Sequence, residues 1–163
     1  MVSSPVAIFD TRAGTLGAIL KGGLIAGVLD ITDAFVVSGL RGISPIRVLH
    51  YIARALIGPS ANQGGYATAA LGLFLHFFIA LTAAAVFVLA SRSLPVLTRR
   101  WIVCGLAFGV AVFFFMNRIV LPLSALPPQP FPPPMSFLVN QLAIHALGIG
   151  LPIAYFAQRA ARG

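Results

Sequence analysis

Apolar residues fill four long stretches of the chain, and polar residues fall mainly at their ends and at a few isolated positions inside them. Each stretch approaches the ~20 residues that a helix needs to cross a bilayer. The pattern predicts four transmembrane helices, over about 16–37, 66–90, 101–121 and 137–156. Between the first two, Ser44-Pro45 reads as a helix N-cap followed by proline at the first helical position, and Gly58-Pro59 reads as a stop. The intervening 45–57 segment places Arg47, His50 and Arg54 along one face, with Ile46, Val48, Leu49, Ile52 and Leu56 over the rest. That is the pattern of an amphipathic helix lying in the membrane interface, its arginines towards anionic headgroups. A short helix capping the bundle fits the same pattern. The expected fold is all-α: an integral membrane bundle of four transmembrane helices in one domain, with one short interfacial helix.

The first stretch is the least apolar. Each aspartate near a helix centre costs about 2.5–3.5 kcal/mol, so Asp30 and Asp33 together oppose insertion by roughly 5–7 kcal/mol. Leu24, Ile25, Val28, Leu29, Ile31, Phe35, Val36 and Val37 return only about 2.5–5 kcal/mol. This helix therefore needs polar partners on its neighbours, or protonation, to stay inserted.

Composition agrees with a membrane location. Only 9% of the 163 residues are charged and 59% are hydrophobic, with a mean hydropathy of +0.98. A soluble domain carries roughly 25% charged residues. The net charge of +8 does not point to nucleic acid, because the basic residues flank the apolar stretches. Arg12, Lys21, Arg92, Arg99, Arg100, Arg159 and Arg162 fall on one side of a four-span arrangement; Arg41, Arg47 and Arg54 fall on the other. The bias places both termini in the cytoplasm, in a bacterial inner membrane. Cys104 is the only cysteine, which excludes an intrachain disulfide and a cysteine-cluster metal site. The N-terminal region lacks the pattern of a cleaved signal, since Asp30 and Asp33 interrupt the apolar stretch after Lys21.

Ionisable groups inside the spans are expensive, and they persist when paired, hydrated or used. At 1.5 Å per residue, Asp30, His76 and His145 lie ~12, ~15 and ~12 Å from the outer ends of their helices, near mid-membrane. Asp33, Asn117, Arg118, Asn140 and Gln141 lie closer to the outside. Small residues accompany the polar ones: Gly23, Gly27 and Ala34 with Asp30; Ala69, Gly72, Ala80 and Ala83 with His76; Gly148 and Pro152 with Gln141 and His145. Such faces mark helix contact, so the polar groups are expected to point inward. Gly105 and Gly109 lie opposite Arg118, which points either to the acids or out along its own stem.

Three chemistries suit this layer. Asp30, Asp33, His76 and His145 form a relay set for a proton, with Arg118 as counter-charge and Asn117 and Gln141 in support. Two imidazoles and one or two carboxylates also suit a divalent metal. Haem held between His76 and His145 is the third, with Gly72 and Gly148 supplying room. A salt-bridged structural network needs no ligand at all. No nucleophile motif, phosphate loop or His-Glu-x-x-His occurs, so an enzyme is the least supported class. From a different class comes an accessory or scaffold subunit of a membrane complex, or a homo-oligomer. It would use the 45–57 helix and the proline-rich stretch from Pro127 to Pro134, which favours stiff polyproline II geometry around Phe131.

Gly23-Leu24-Ile25-Ala26-Gly27 before Asp30, Leu75-His76-Phe77, the proline-rich turn and His145-Ala146-Leu147-Gly148 together resemble the small YagU-like bacterial inner-membrane proteins and related four-span families. The resemblance implies a compact helical bundle in a bacterial inner membrane and carries no activity with it.

Overall fold

A computed structural model describes the backbone of residues 6–162 and the side chains of residues 14–162; Arg12 lies outside the latter. The described chain is all-helical. Helix α1 covers Val6–Gly39, α2 covers Pro45–Ile57, and a 3-10 turn follows over Gly58–Gln63. Helix α3 covers Gly65–Ser93, the short α4 covers Val96–Arg99, and α5 covers Trp101–Phe115. Helix α5 continues as a π-helical turn over Met116–Val120. The last long helix consists of α6 (Met135–Ala143), a π-helical stretch (Ile144–Gly150) and α7 (Leu151–Arg162).

Three helices are long and apolar enough to cross a membrane: Gly65–Ser93, Trp101–Val120 and Met135–Arg162. The chain is thus a helical membrane protein. Each of these helices extends beyond or matches the stretch expected from the pattern. The first helix is not among the three.

Helix α1 nevertheless packs along both α3 and α7. Its small residues explain how. A Cβ at Gly23 would press on Leu81 and Ala84 of α3, one at Gly27 on Phe77 and Ala80, and one at Gly22 on Ile153 of α7. The glycines let α1 sit close to two neighbours at once. Helix α5 packs on the other side of the last helix, whose backbone abuts Gly105 and Gly109 so tightly that any side chain there would overlap it. The lateral sequence is therefore α3, α1, last helix, α5, each antiparallel to the next.

Between Ala18 and Ala157 the core is apolar, built from Ala26, Ala84, Phe87, Val88, Ile149, Ile153 and Ala154, with Trp101, Cys104 and Phe108 packed against it. It fills the end of the molecule where Arg99, Arg159 and Arg162 lie. Asp30, Asp33, His50, His76 and His145 occupy the other half. Outward-facing apolar residues such as Phe74 and Val103, 65% and 66% exposed, supply a surface suited to lipid rather than water.

Helix α2 has the bounds its punctuation predicts, with proline in its first turn and Ser44 in extended geometry. The Ser44 side chain makes no capping hydrogen bond. Its polar face is not wholly outward, contrary to expectation. His50 is buried, and its Nε2 lies 2.8 Å from the Gly65 carbonyl at the start of α3. Arg54 is half-buried, and its Nε has no hydrogen-bond partner among the described residues. Only Arg47 of the three stands clear in solvent. The reason is Gly72, which faces the Leu49 carbonyl and draws α2 against α3. The small-residue face of α3 therefore serves two partners, α2 around Gly72 and α1 from His76 onward.

The proline-rich stretch does not project either. Phe131 folds back on Phe113 and Phe114, with ring centroids 6.3 and 6.2 Å apart. The Ala125 amide donates to the Ala55 carbonyl of α2 at 2.9 Å, and Leu126 is buried. The segment covers the end of α5 and joins it to α2.

Candidate functional site

Pro152 lies inside the last helix and Pro122 in the turn just past the end of α5, and both are preceded by widened backbone. Pro152 has no N–H to bond Gly148, and Pro122 none to bond Arg118. Each ring also crowds the carbonyl four residues before it, which a wider turn relieves. The π-helical segments Ile144–Gly150 and Met116–Val120 end just ahead of these prolines. Single π turns inside helices recur at functional sites. The one in the last helix contains His145.

His145 is buried, with Nδ1 2.9 Å from the Gln141 carbonyl. A carbonyl only accepts, so Nδ1 carries a hydrogen, and in the neutral ring Nε2 keeps its lone pair. The ring meets Phe113 edge to face at 5.4 Å. Asp30 and Asp33 are near enough for their charges to act on it.

His76 is held in the opposite tautomer. Its Nε2 lies 2.8 Å from the Gly27 carbonyl of α1, so Nε2 is the donor. Nδ1 then faces Asp30 Oδ2 at 4.0 Å. That gap is longer than a direct hydrogen bond, and a small side-chain rotation or one water closes it. The favourable arrangements each place a single proton between the two groups. Either an imidazolium faces a carboxylate, or an imidazole lone pair faces a carboxylic acid. Asp33, one turn on, accepts from Asn140 Nδ2 at 2.8 Å across the helix contact.

The structure thus brings together Asp30 and His76 directly, with His145 and Asp33 around them. It does not bring in the supporting residues as expected. Arg118 is exposed, and its guanidinium lies over the Phe131 ring, 4.7 Å from the centroid. Among the described residues it forms no ion pair with Asp30 or Asp33. The stem of Arg118 leaves the bundle on the side opposite Gly105 and Gly109, which face the last helix. Asn117 turns back to the Phe113 carbonyl at 2.9 Å. Gln141 contributes its backbone carbonyl rather than its side chain. Asn140, which the residue pattern placed only in the outer layer, supplies the one side-chain bond to an acid.

Ligand geometry separates the three chemistries. Among the described residues, no three His, Cys, Asp or Glu side chains converge on a point where a metal ion would sit. The room expected for haem is filled: Gly72 lies against the Leu49 carbonyl and Gly148 against Ile144 and Leu29. The Nε2 of His76, an atom that would bind iron, is already bonded to Gly27. No known family, curated protein or solved structure matches the chain. The site stands on its own geometry.

Proposed function

We propose that this protein is a four-span bacterial inner-membrane protein that passes a proton through the Asp30–His76 pair, with His145 and Asp33 completing the site. In this reading α1 crosses the bilayer with the three apolar helices, both termini face the cytoplasm, and Arg47 of α2 meets anionic headgroups. The observation that carries it is the tautomer of His76. Because Nε2–H is committed to the Gly27 carbonyl, His76 Nδ1 and Asp30 Oδ2, 4.0 Å apart, are two bases between which a proton passes after a small rotation or through one water. Such a pair exchanges its proton without losing its anchor. The closeness of His145, with Nε2 unprotonated, supplies a second acceptor in the same layer.

The test is proton flux in liposomes that contain the purified protein and a pH-sensitive dye, driven by a potassium gradient with valinomycin. Wild-type protein is expected to acidify the interior, and Asp30→Asn to lower the rate at least about tenfold. Equal rates for wild type, Asp30→Asn and empty liposomes would falsify the proposal.

A second reading is supported by the same contacts. His76 to Gly27 and Asn140 to Asp33 are both bonds between helices, as a structural network in an accessory or scaffold subunit would have. That reading expects no flux from wild-type protein and a loss of thermal stability on replacing either acid.

A further inference from the structure

At the end of the molecule away from Asp30, α4 and the end of α7 border an open pocket of about 260 Å³, lined by Thr98, Arg99, Gln158, Ala161 and Arg162. Its chemistry is one-sided. Two guanidinium groups border it, and no acid does among the described residues. Asp30 and Asp33, the described carboxylates, lie in the other half, and neither Arg99 nor Arg162 forms an ion pair among the described residues. Gln158, 93% buried by its 7% exposure, fixes one wall. With its amide oriented to satisfy both neighbours, its Oε1 accepts from Trp101 Nε1 at 3.1 Å and from Arg162 Nη2 at 2.8 Å. That bond uses one of the five N–H groups of Arg162 and orients the rest. Arginine forks match phosphate oxygens in pairs, and basic pockets between membrane helices recognise anionic headgroups.

We infer that the Arg99–Arg162 pocket binds a phosphate-bearing anion. The phosphate belongs either to an anionic lipid of the adjacent leaflet or to a free phosphate from solution. The inference is independent of proton transfer at Asp30.

Trp101 is the only tryptophan in the chain, and its indole N–H is bonded to the pocket wall. Its emission therefore reports occupancy directly. The full chain in dodecyl maltoside would be titrated with phosphatidylglycerol, with phosphatidylcholine and with inorganic phosphate. A saturable change with phosphatidylglycerol alone assigns the site to a lipid headgroup. A saturable change with inorganic phosphate that also blocks the lipid response assigns it to free phosphate. In either case Arg99→Gln and Arg162→Gln are each expected to weaken binding about tenfold, and Arg47→Gln, at the other end, to leave it unchanged. Arg162→Lys guards against a folding defect, since it keeps the charge and loses the fork; it is expected to bind between wild type and Arg162→Gln. Absence of a saturable response to both anions, or a response of equal strength in both Gln variants, overturns the inference.

Discussion

Asn140 on the last long helix donates to Asp33 on the first at 2.8 Å, although 107 residues separate them in the chain. The bond joins a helix that is apolar enough to cross a membrane to one that carries two acids. It gives one of those acids a partner inside the protein rather than in lipid, which is what the sequence of α1 requires. Replacing Asn140 with Leu leaves Asp33 unpaired and is expected to lower stability by about 0.6–1.7 kcal/mol. Thermal unfolding in mild detergent measures this. An Asp33→Asn variant, whose amide can still bond Asn140, should lose less than Asp33→Leu.

His76→Gln separates the two readings of the polar layer. Glutamine offers an N–H for the Gly27 carbonyl but no titratable base for Asp30. Proton flux is expected to fall at least about tenfold while the melting temperature stays near the wild-type value. A large drop in melting temperature without any wild-type flux to lose assigns the pair to structure.

The backbone contact at Gly109 positions His145. Any side chain there overlaps the His145 carbonyl, so Gly109→Ala must push α5 away from the last helix. Overpacking of this kind costs roughly 1–3 kcal/mol. The variant is expected to melt earlier and also to slow flux, because His145 moves with its backbone. Gly14→Ala, where an added methyl meets nothing within 4 Å, is the matched control and should leave both unchanged.

Phe131 holds the proline-rich segment down through Phe113, Phe114 and Arg118. Phe131→Ala removes two aromatic contacts and a cation–π contact, each worth about 0.5–1.5 kcal/mol. The expected result is faster cleavage between Leu121 and Pro134 in limited proteolysis. Unchanged cleavage means that the Ala125–Ala55 bond alone secures the segment.

Whether α1 crosses the bilayer can be read by labelling. With Cys104 replaced by serine, a cysteine at Gly42 is expected to react with a membrane-impermeant maleimide from outside intact cells. A cysteine at Gly14, towards the other end of α1, should react only after the membrane is opened. Labelling of both from the same side places α1 along the membrane surface instead.

Much of this molecule was written in local patterns. Ser44-Pro45 and Gly58-Pro59 bracket α2 because proline and glycine constrain the backbone wherever they stand. Long apolar stretches fixed three helices, since length and hydropathy suffice to define a helix that crosses a membrane. Helix rise alone put Asp30 and His76 at one depth, and the small residues Gly23 and Gly27 identified the face of α1 that meets α3.

The rest needed tertiary structure, because a residue's phase on its own helix does not say which neighbour covers it. His50 and Arg54 share the polar face of α2, yet Gly72 of α3 draws that helix inward and buries one of them. Arg118 had two directions open to it, and Phe131, 13 positions further on, decided the outcome through its ring. The π turns came from Pro122 and Pro152, but the tautomer of His145 depended on which carbonyl its ring then met. A membrane sequence determines which segments are helical and how deep each charge lies, because those follow from bond geometry and transfer energy along one chain. Partners across helices are set by which small residues let two backbones approach, and only the packed structure decides that.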